Sequence, residues 1–138
     1  MSPKLFRSDE TKQWLRHAQE DLRAAEALST AKPPLPKLTL FHCQQAVEKT
    51  LKAFLVWHEQ SFERTHNLTR LGKQCVVVDK TLAEIILSAV GLTQYAVKFR
   101  YPGEVGEPTL EEAKDSLEIA KSLLNTVIQR LPEEVRLP

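Results

Sequence analysis

The sequence lacks most of the signatures that mark a metalloprotein or a nucleotide-hydrolysing enzyme. It has two cysteines, Cys43 and Cys75, and neither lies at zinc-ligand spacing from another cysteine or a histidine. Each falls within an apolar helical pattern, which predicts reduced core thiols of a cytosolic protein. Neither G-x-x-x-x-G-K-[ST] nor G-x-G-x-x-G occurs, so both standard phosphate-cradling loops are missing. H-E-x-x-H, the paired carboxylate–histidine motifs of di-metal bundles and the G-x-S-x-G elbow are absent too, and no metal or cofactor is expected. The net charge is only +1, so no global basic field announces nucleic acid, and any such contact must come from a local patch. No apolar run approaches the ~20 residues that cross a bilayer. The opening MSPKLFRSDET has no apolar run of a signal peptide, so a cytoplasmic location is expected.

What is present is the material of one packed domain, expected over 1–138. Hydrophobic residues make up 42% and charged residues 27%, a mix that supports a core and argues against disorder. Residues 1–8 read as a short flexible arm. Ser8 or Asp9 then caps a helix to about Ser29, with Trp14, Leu15, Ala18, Leu22, Ala25 and Leu28 on one face. The Pro-rich connection 31–37, AKPPLPK, cannot continue it. A second helix follows over about Leu38 to Glu59. Thr65 is placed to cap a short helix from His66 to about Cys75. Val76, Val77 and Val78 have no second strand to pair with, so a strand there is rejected. Asp79 reads as the next cap, and Leu82, Ile85, Ile86, Ala89 and Val90 mark a fourth helix with Gly91 as its weak point. Lys98 to Pro108, KFRYPGEVGEP, breaks the pattern and is the longest turn-rich stretch. Thr109 and Glu112 form a capping-box spacing for a last helix, along which Ala113, Leu117, Ala120, Leu124, Val127 and Leu131 alternate at four and three. Four to five helices and no convincing strand predict an all-α, up-and-down bundle.

The second helix is unusual. Phe41 to His58, FHCQQAVEKTLKAFLVWH, is apolar almost all round, yet Gln44, Gln45, Glu48, Lys49 and Lys52 form a polar seam within it. Such a seam on an enclosed helix must find partners, line a cleft or meet another chain. Three stretches therefore carry the candidate chemistry: the seam, the Thr65-His66 turn, and Arg100-Tyr101. Lys49, Lys52 and Arg100 are suited to phosphate, Tyr101 to stacking on a base, and His66 to bonding with either. The plain structural alternative stands beside this. Glu48 and Lys52 are an ordinary i,i+4 pair, His66 covers a helix start, and Arg100 and Tyr101 lock a loop to the bundle. Each of the four histidines, taken alone, is more often structural than catalytic.

Taken together, F-H-C-Q-Q-A-V-E-K-T-L-K-A-F-L (Phe41 to Leu55), T-H-N-L (Thr65 to Leu68) and R-Y-P (Arg100 to Pro102) resemble the HEPN family, the higher eukaryotes and prokaryotes nucleotide-binding domains. The pattern A-x-x-D-L-x-x-A-E (Ala18 to Glu26) and the last Ala/Leu-rich helix fit as well. The resemblance implies a HEPN-like bundle that dimerises, a nucleotide or RNA ligand, and a minimal nucleotidyltransferase partner in a toxin–antitoxin-like pair. It carries over His42, Gln45, Glu48, Lys49, Lys52, His66, Arg100 and Tyr101 as the matching polar residues. Many members are metal-independent RNases, marked by Arg, four to six residues, then His. That signature is absent here, since no histidine follows Arg100, and this argues against cleavage. The alternatives are an RNase toxin with a non-standard site, His66 as acid/base and Arg100 as stabiliser, and an interaction or scaffold protein without ligand.

Overall fold

A computed structural model describes residues 3–98 and 107–137 of the chain. They form α1 (Pro3–Thr30), α2 (Pro36–Trp57), α3 (Leu68–Val78), α4 (Ala83–Lys98) and α5 (Leu110–Gln129), with 3-10 turns at Lys80–Leu82 and Glu133–Val135. No strand occurs among the described residues, and the all-α bundle is the architecture the periodicities predict. None of these helices is long and apolar enough to cross a membrane.

Helix α1 begins earlier than expected, at Pro3 rather than at a Ser8 or Asp9 cap, so most of the supposed arm is helical. A proline fits the start of a helix because its missing N–H would have no intrahelical partner there. The early turns are then held by side chains. The Arg7 guanidinium lies 3.9 Å from the centroid of the Trp57 ring and 3.6 Å from the Glu59 carboxylate, and Ser8 and Thr11 are buried. The Pro-rich connection ends where Pro36 opens α2, two residues before the expected start.

Helices α1 and α2 form the main interface of the bundle. They run antiparallel, as their side-chain register shows: Arg7 meets Trp57, Trp14 meets Lys52, and Asp21 meets Lys49 and His42. Arg7, Trp14 and Asp21 are seven residues apart, so one line along α1 faces one line along α2. The apolar core lies beside that line. It is built from Leu15, Ala18, Leu22 and Ala25 of α1, Cys43, Val47, Leu51, Phe54 and Leu55 of α2, and residues of the other three helices.

The short helix α3 starts two residues later than expected. Asn67 is its cap, accepting from the Arg70 N–H at 3.2 Å, while Thr65 accepts from the Asn67 N–H and shapes the turn before it. The three valines form no strand, and α3 runs on through them to Val78, three residues past the expected end at about Cys75. Asp79 caps the next turn as predicted. The Thr109–Glu112 capping box is complete in both directions, and Ala113, Leu117, Ala120, Leu124, Val127 and Leu131 are all buried.

Candidate functional site

The seam is a candidate site because its own Glu48 and the facing Asp21 of α1 are buried carboxylates. Glu48 lies at 3% exposure and Asp21 at 8%. A buried carboxylate is costly unless its oxygens are hydrogen-bonded and its charge is balanced. Each of these is matched in the same way, by one imidazole and one ammonium.

Around Glu48, Oε2 accepts from Lys52 Nζ at 3.1 Å and Oε1 accepts from His66 Nδ1 at 2.8 Å. Lys52 is itself buried. Its ammonium lies 5.2 Å from the Trp14 ring and 5.9 Å from the Phe62 ring, a partly aromatic enclosure that favours a cation. Around Asp21, Oδ1 accepts from His42 Nδ1 at 2.9 Å and Oδ2 accepts from Lys49 Nζ. The two arrays share α2: Glu48 and Lys49 are adjacent in sequence, and Lys49 and Lys52 are about one turn apart along the axis. Gln45, three residues after His42 and four before Lys49, lies half-exposed beside them.

An ionised carboxylate can only accept, so the proton on each hydrogen-bonded imidazole nitrogen must sit on Nδ1. A neutral His42 or His66 then has its lone pair on Nε2. That leaves Nε2 of each ring as the nitrogen able to accept a hydrogen bond or act as a general base. The charges of the two arrays otherwise balance, two carboxylates against two ammonium groups. The arrays therefore offer directed hydrogen bonds more than a strong positive field.

Of the residues singled out from sequence, the structure joins Glu48, Lys52 and His66 directly. Lys49 is placed in the neighbouring array with His42. Arg100 and Tyr101 lie outside the described residues. Asp21 and Trp14 were not expected at the site. Asp21 sits between Ala18 and Ala25 on the apolar face of α1, and an acid inside an apolar stripe is the signal that marks it. Phe62, from the loop before α3, carried no periodic signal. The two cysteines play no part here: both are fully buried, and burial pushes each thiol up to about 12.

Fold and site together define a helical bundle with a built polar seam between its first two helices. The HEPN domain model matches residues 11–131, and the chain belongs to that family. No curated protein and no solved structure matches it.

Proposed function

We propose that this HEPN protein is a nucleotide- or RNA-binding module whose site is the α2 seam. In this reading it acts in the cytoplasm as a homodimer, with a minimal nucleotidyltransferase as protein partner in a toxin–antitoxin-like pair. The observation that carries the reading is the Glu48 array. A buried carboxylate holds an imidazole that is 81% exposed, so a group built from the interior is presented to solvent. The ammonium groups of Lys49 and Lys52 supply further donors, and Gln45 supplies an amide. In this reading Arg100 would donate hydrogen bonds to a phosphate and Tyr101 would offer a stacking surface.

Calorimetric titration of the purified chain with AMP, ATP and a short oligoribonucleotide tests this. Saturable binding is expected, weakened at least about tenfold by His66→Gln or Arg100→Ala, a loss on the scale of a single charge-assisted contact. Absence of binding to all three ligands, or affinity untouched by both changes, overturns it.

One observation favours the RNase alternative as a second reading. The Nδ1 bond to Glu48 leaves His66 Nε2 as the basic nitrogen that removal of a ribose 2′-hydroxyl proton requires. Arg100 would then stabilise the charge that develops on phosphorus. RNA incubated with the protein in chelator should be cleaved by the wild type and spared by His66→Ala. Intact RNA in the wild-type reaction removes this reading.

A further inference from the structure

The Asp21 array repeats the chemistry of the Glu48 array and has an aromatic side chain beside it. Phe41 is 49% exposed, and its ring meets the His42 ring edge-on, with centroids 5.3 Å apart and an interplanar angle of 80°. His42 is also held by Asp21, 2.9 Å from its Nδ1. Lys49 directs one of its three N–H donors at Asp21 and remains 22% exposed, with donors to spare. An exposed ring, an oriented imidazole and an ammonium therefore lie together on one stretch of α2. Lys49 adjoins Glu48 in sequence, and Phe41 lies seven residues, about two turns of helix, before it.

We infer that Phe41, His42 and Lys49 form a second subsite, which takes the neighbouring nucleotide of a single-stranded oligoribonucleotide. The base stacks on Phe41, the ribose 2′-hydroxyl donates to the lone pair of His42 Nε2, and the intervening phosphate meets Lys49. This rests on the reading of the Glu48 array as the first nucleotide subsite and makes that reading specific. The ligand is a strand at least two nucleotides long, not a mononucleotide or a nucleoside triphosphate. Two features support a strand over a polyphosphate. The aromatic ring lies at one end of the polar line, where a second base would fall. Both arrays also have their ammonium charge already balanced by a carboxylate, and such a surface suits hydrogen bonding along a backbone better than it suits a compact, highly charged group. Base stacking on an aromatic residue is sequence-tolerant, so the subsite selects for single strand and length rather than for one base.

The test compares AMP with the dinucleotide pApA by calorimetry on the full chain, in wild type, Phe41→Ala, His42→Gln and His66→Gln. Wild type should bind pApA about tenfold more tightly than AMP, the scale of one stacked base. Phe41→Ala should remove that advantage and leave AMP affinity unchanged. His42→Gln keeps a donor for Asp21 but has no second ring nitrogen, and should reduce only pApA binding. His66→Gln should weaken both ligands. Equal affinity of wild type for AMP and pApA overturns the second subsite while leaving the first in place. An advantage that survives Phe41→Ala overturns it as well. If neither ligand binds, the proposed function fails and this inference fails with it. Gel filtration of Phe41→Ala is the control: loss of the dimer together with loss of the advantage assigns Phe41 to an interface between copies and overturns the stacking role.

Discussion

His66 and Glu48 are joined by a 2.8 Å hydrogen bond across a steep gradient of solvent access, with one side chain 81% exposed and the other 4%. The loop before α3 is thereby tied to the inside of the bundle, and Lys52 supports the same carboxylate from one helical turn away. The proposed function and the stability of the bundle thus meet in one carboxylate, and they can be separated by mutation.

Glu48→Ala should cost about 3–5 kcal/mol, because it leaves the Lys52 ammonium buried without its counter-charge. The double change Glu48→Leu with Lys52→Met should recover most or all of that loss, since well-packed apolar groups often replace a buried ion pair at no net cost. Urea unfolding of the three proteins measures both effects. If the single and double variants are equally destabilised, the ion pair is not what holds this part of the core. The double variant should nonetheless bind ligand poorly, because His66 has lost its anchor.

The buried thiols predict how stability changes in alkali. Cys43 and Cys75 are raised from 9.0 to about 12 in the folded chain, in both cases chiefly by burial. A raised folded-state value means that the folded chain keeps a proton the unfolded chain has lost. The contribution is therefore fully present below pH 9 and is lost as pH rises from there toward 12. Each thiol adds a downward slope of about 1.4 kcal/mol per pH unit within that window. The Cys43→Ala/Cys75→Ala protein, although less stable at neutral pH, should lose less stability than wild type between pH 8 and 10.5. Parallel curves for the two proteins would contradict the assignment. Neither thiol should react with a thiol reagent until denaturant is added.

Much of this molecule can be read from its chain, and the parts that cannot have a common cause. Helix α5 was legible throughout because its capping box and its buried positions are local and periodic. The run Phe41 to His58 was recognisable as an enclosed helix with a polar seam for the same reason. Asp21 was harder to see. It sits in a stripe with Ala18, Leu22 and Ala25, but the residues that neutralise it, His42 and Lys49, are on another helix. Their meeting depends on the α1–α2 register, which no periodicity within either helix specifies. Arg7 shows the same effect at the other end of that interface, where stacking on Trp57 extends α1 into what reads as a polar arm. The bond between Glu48 and His66 also depends on the path of a loop, and Phe62 reaches Lys52 by that path alone. Residue types identified the chemistry of the seam, whereas tertiary register decided which acid received which base.

His58 should titrate at a lower pH than an ordinary histidine. Burial lowers its value first, Asp79 opposes that, and Arg7 adds to it. Its ring also lies 4.4 Å from Phe54, in a tilted arrangement. A lowered folded-state value means that the unfolded chain takes up the proton more readily. The stability from neutral His58 is therefore present above pH 6.5 and is lost as pH falls through the folded value. Two-dimensional NMR should place the His58 midpoint below 6.5, and Asp79→Asn should move it lower still by removing the opposing charge. A midpoint that rises in Asp79→Asn would reverse the assigned sign.

Two helical glycines should respond oppositely to the same substitution. A Cβ on Gly72 would lie 2.7 Å from Cγ2 of Ile86 and 3.3 Å from Cγ2 of Val90. Ile86 is buried, and both neighbours are β-branched and stiff at χ1, so neither can swing aside cheaply. Gly72 is what allows α3 to lie close against α4. Gly72→Ala should therefore destabilise by about 1–3 kcal/mol through overpacking, outweighing the gain of up to ~1 kcal/mol in helix propensity. A Cβ on Gly91 meets nothing within 4 Å, so Gly91→Ala in α4 should realise that propensity gain and stabilise by about 0.5–1 kcal/mol. Thermal or urea unfolding of the two single variants provides the comparison. Stabilisation by Gly72→Ala would mean that α3 can withdraw from α4 without loss, which the short distance from an added Cβ to the buried Ile86 argues against.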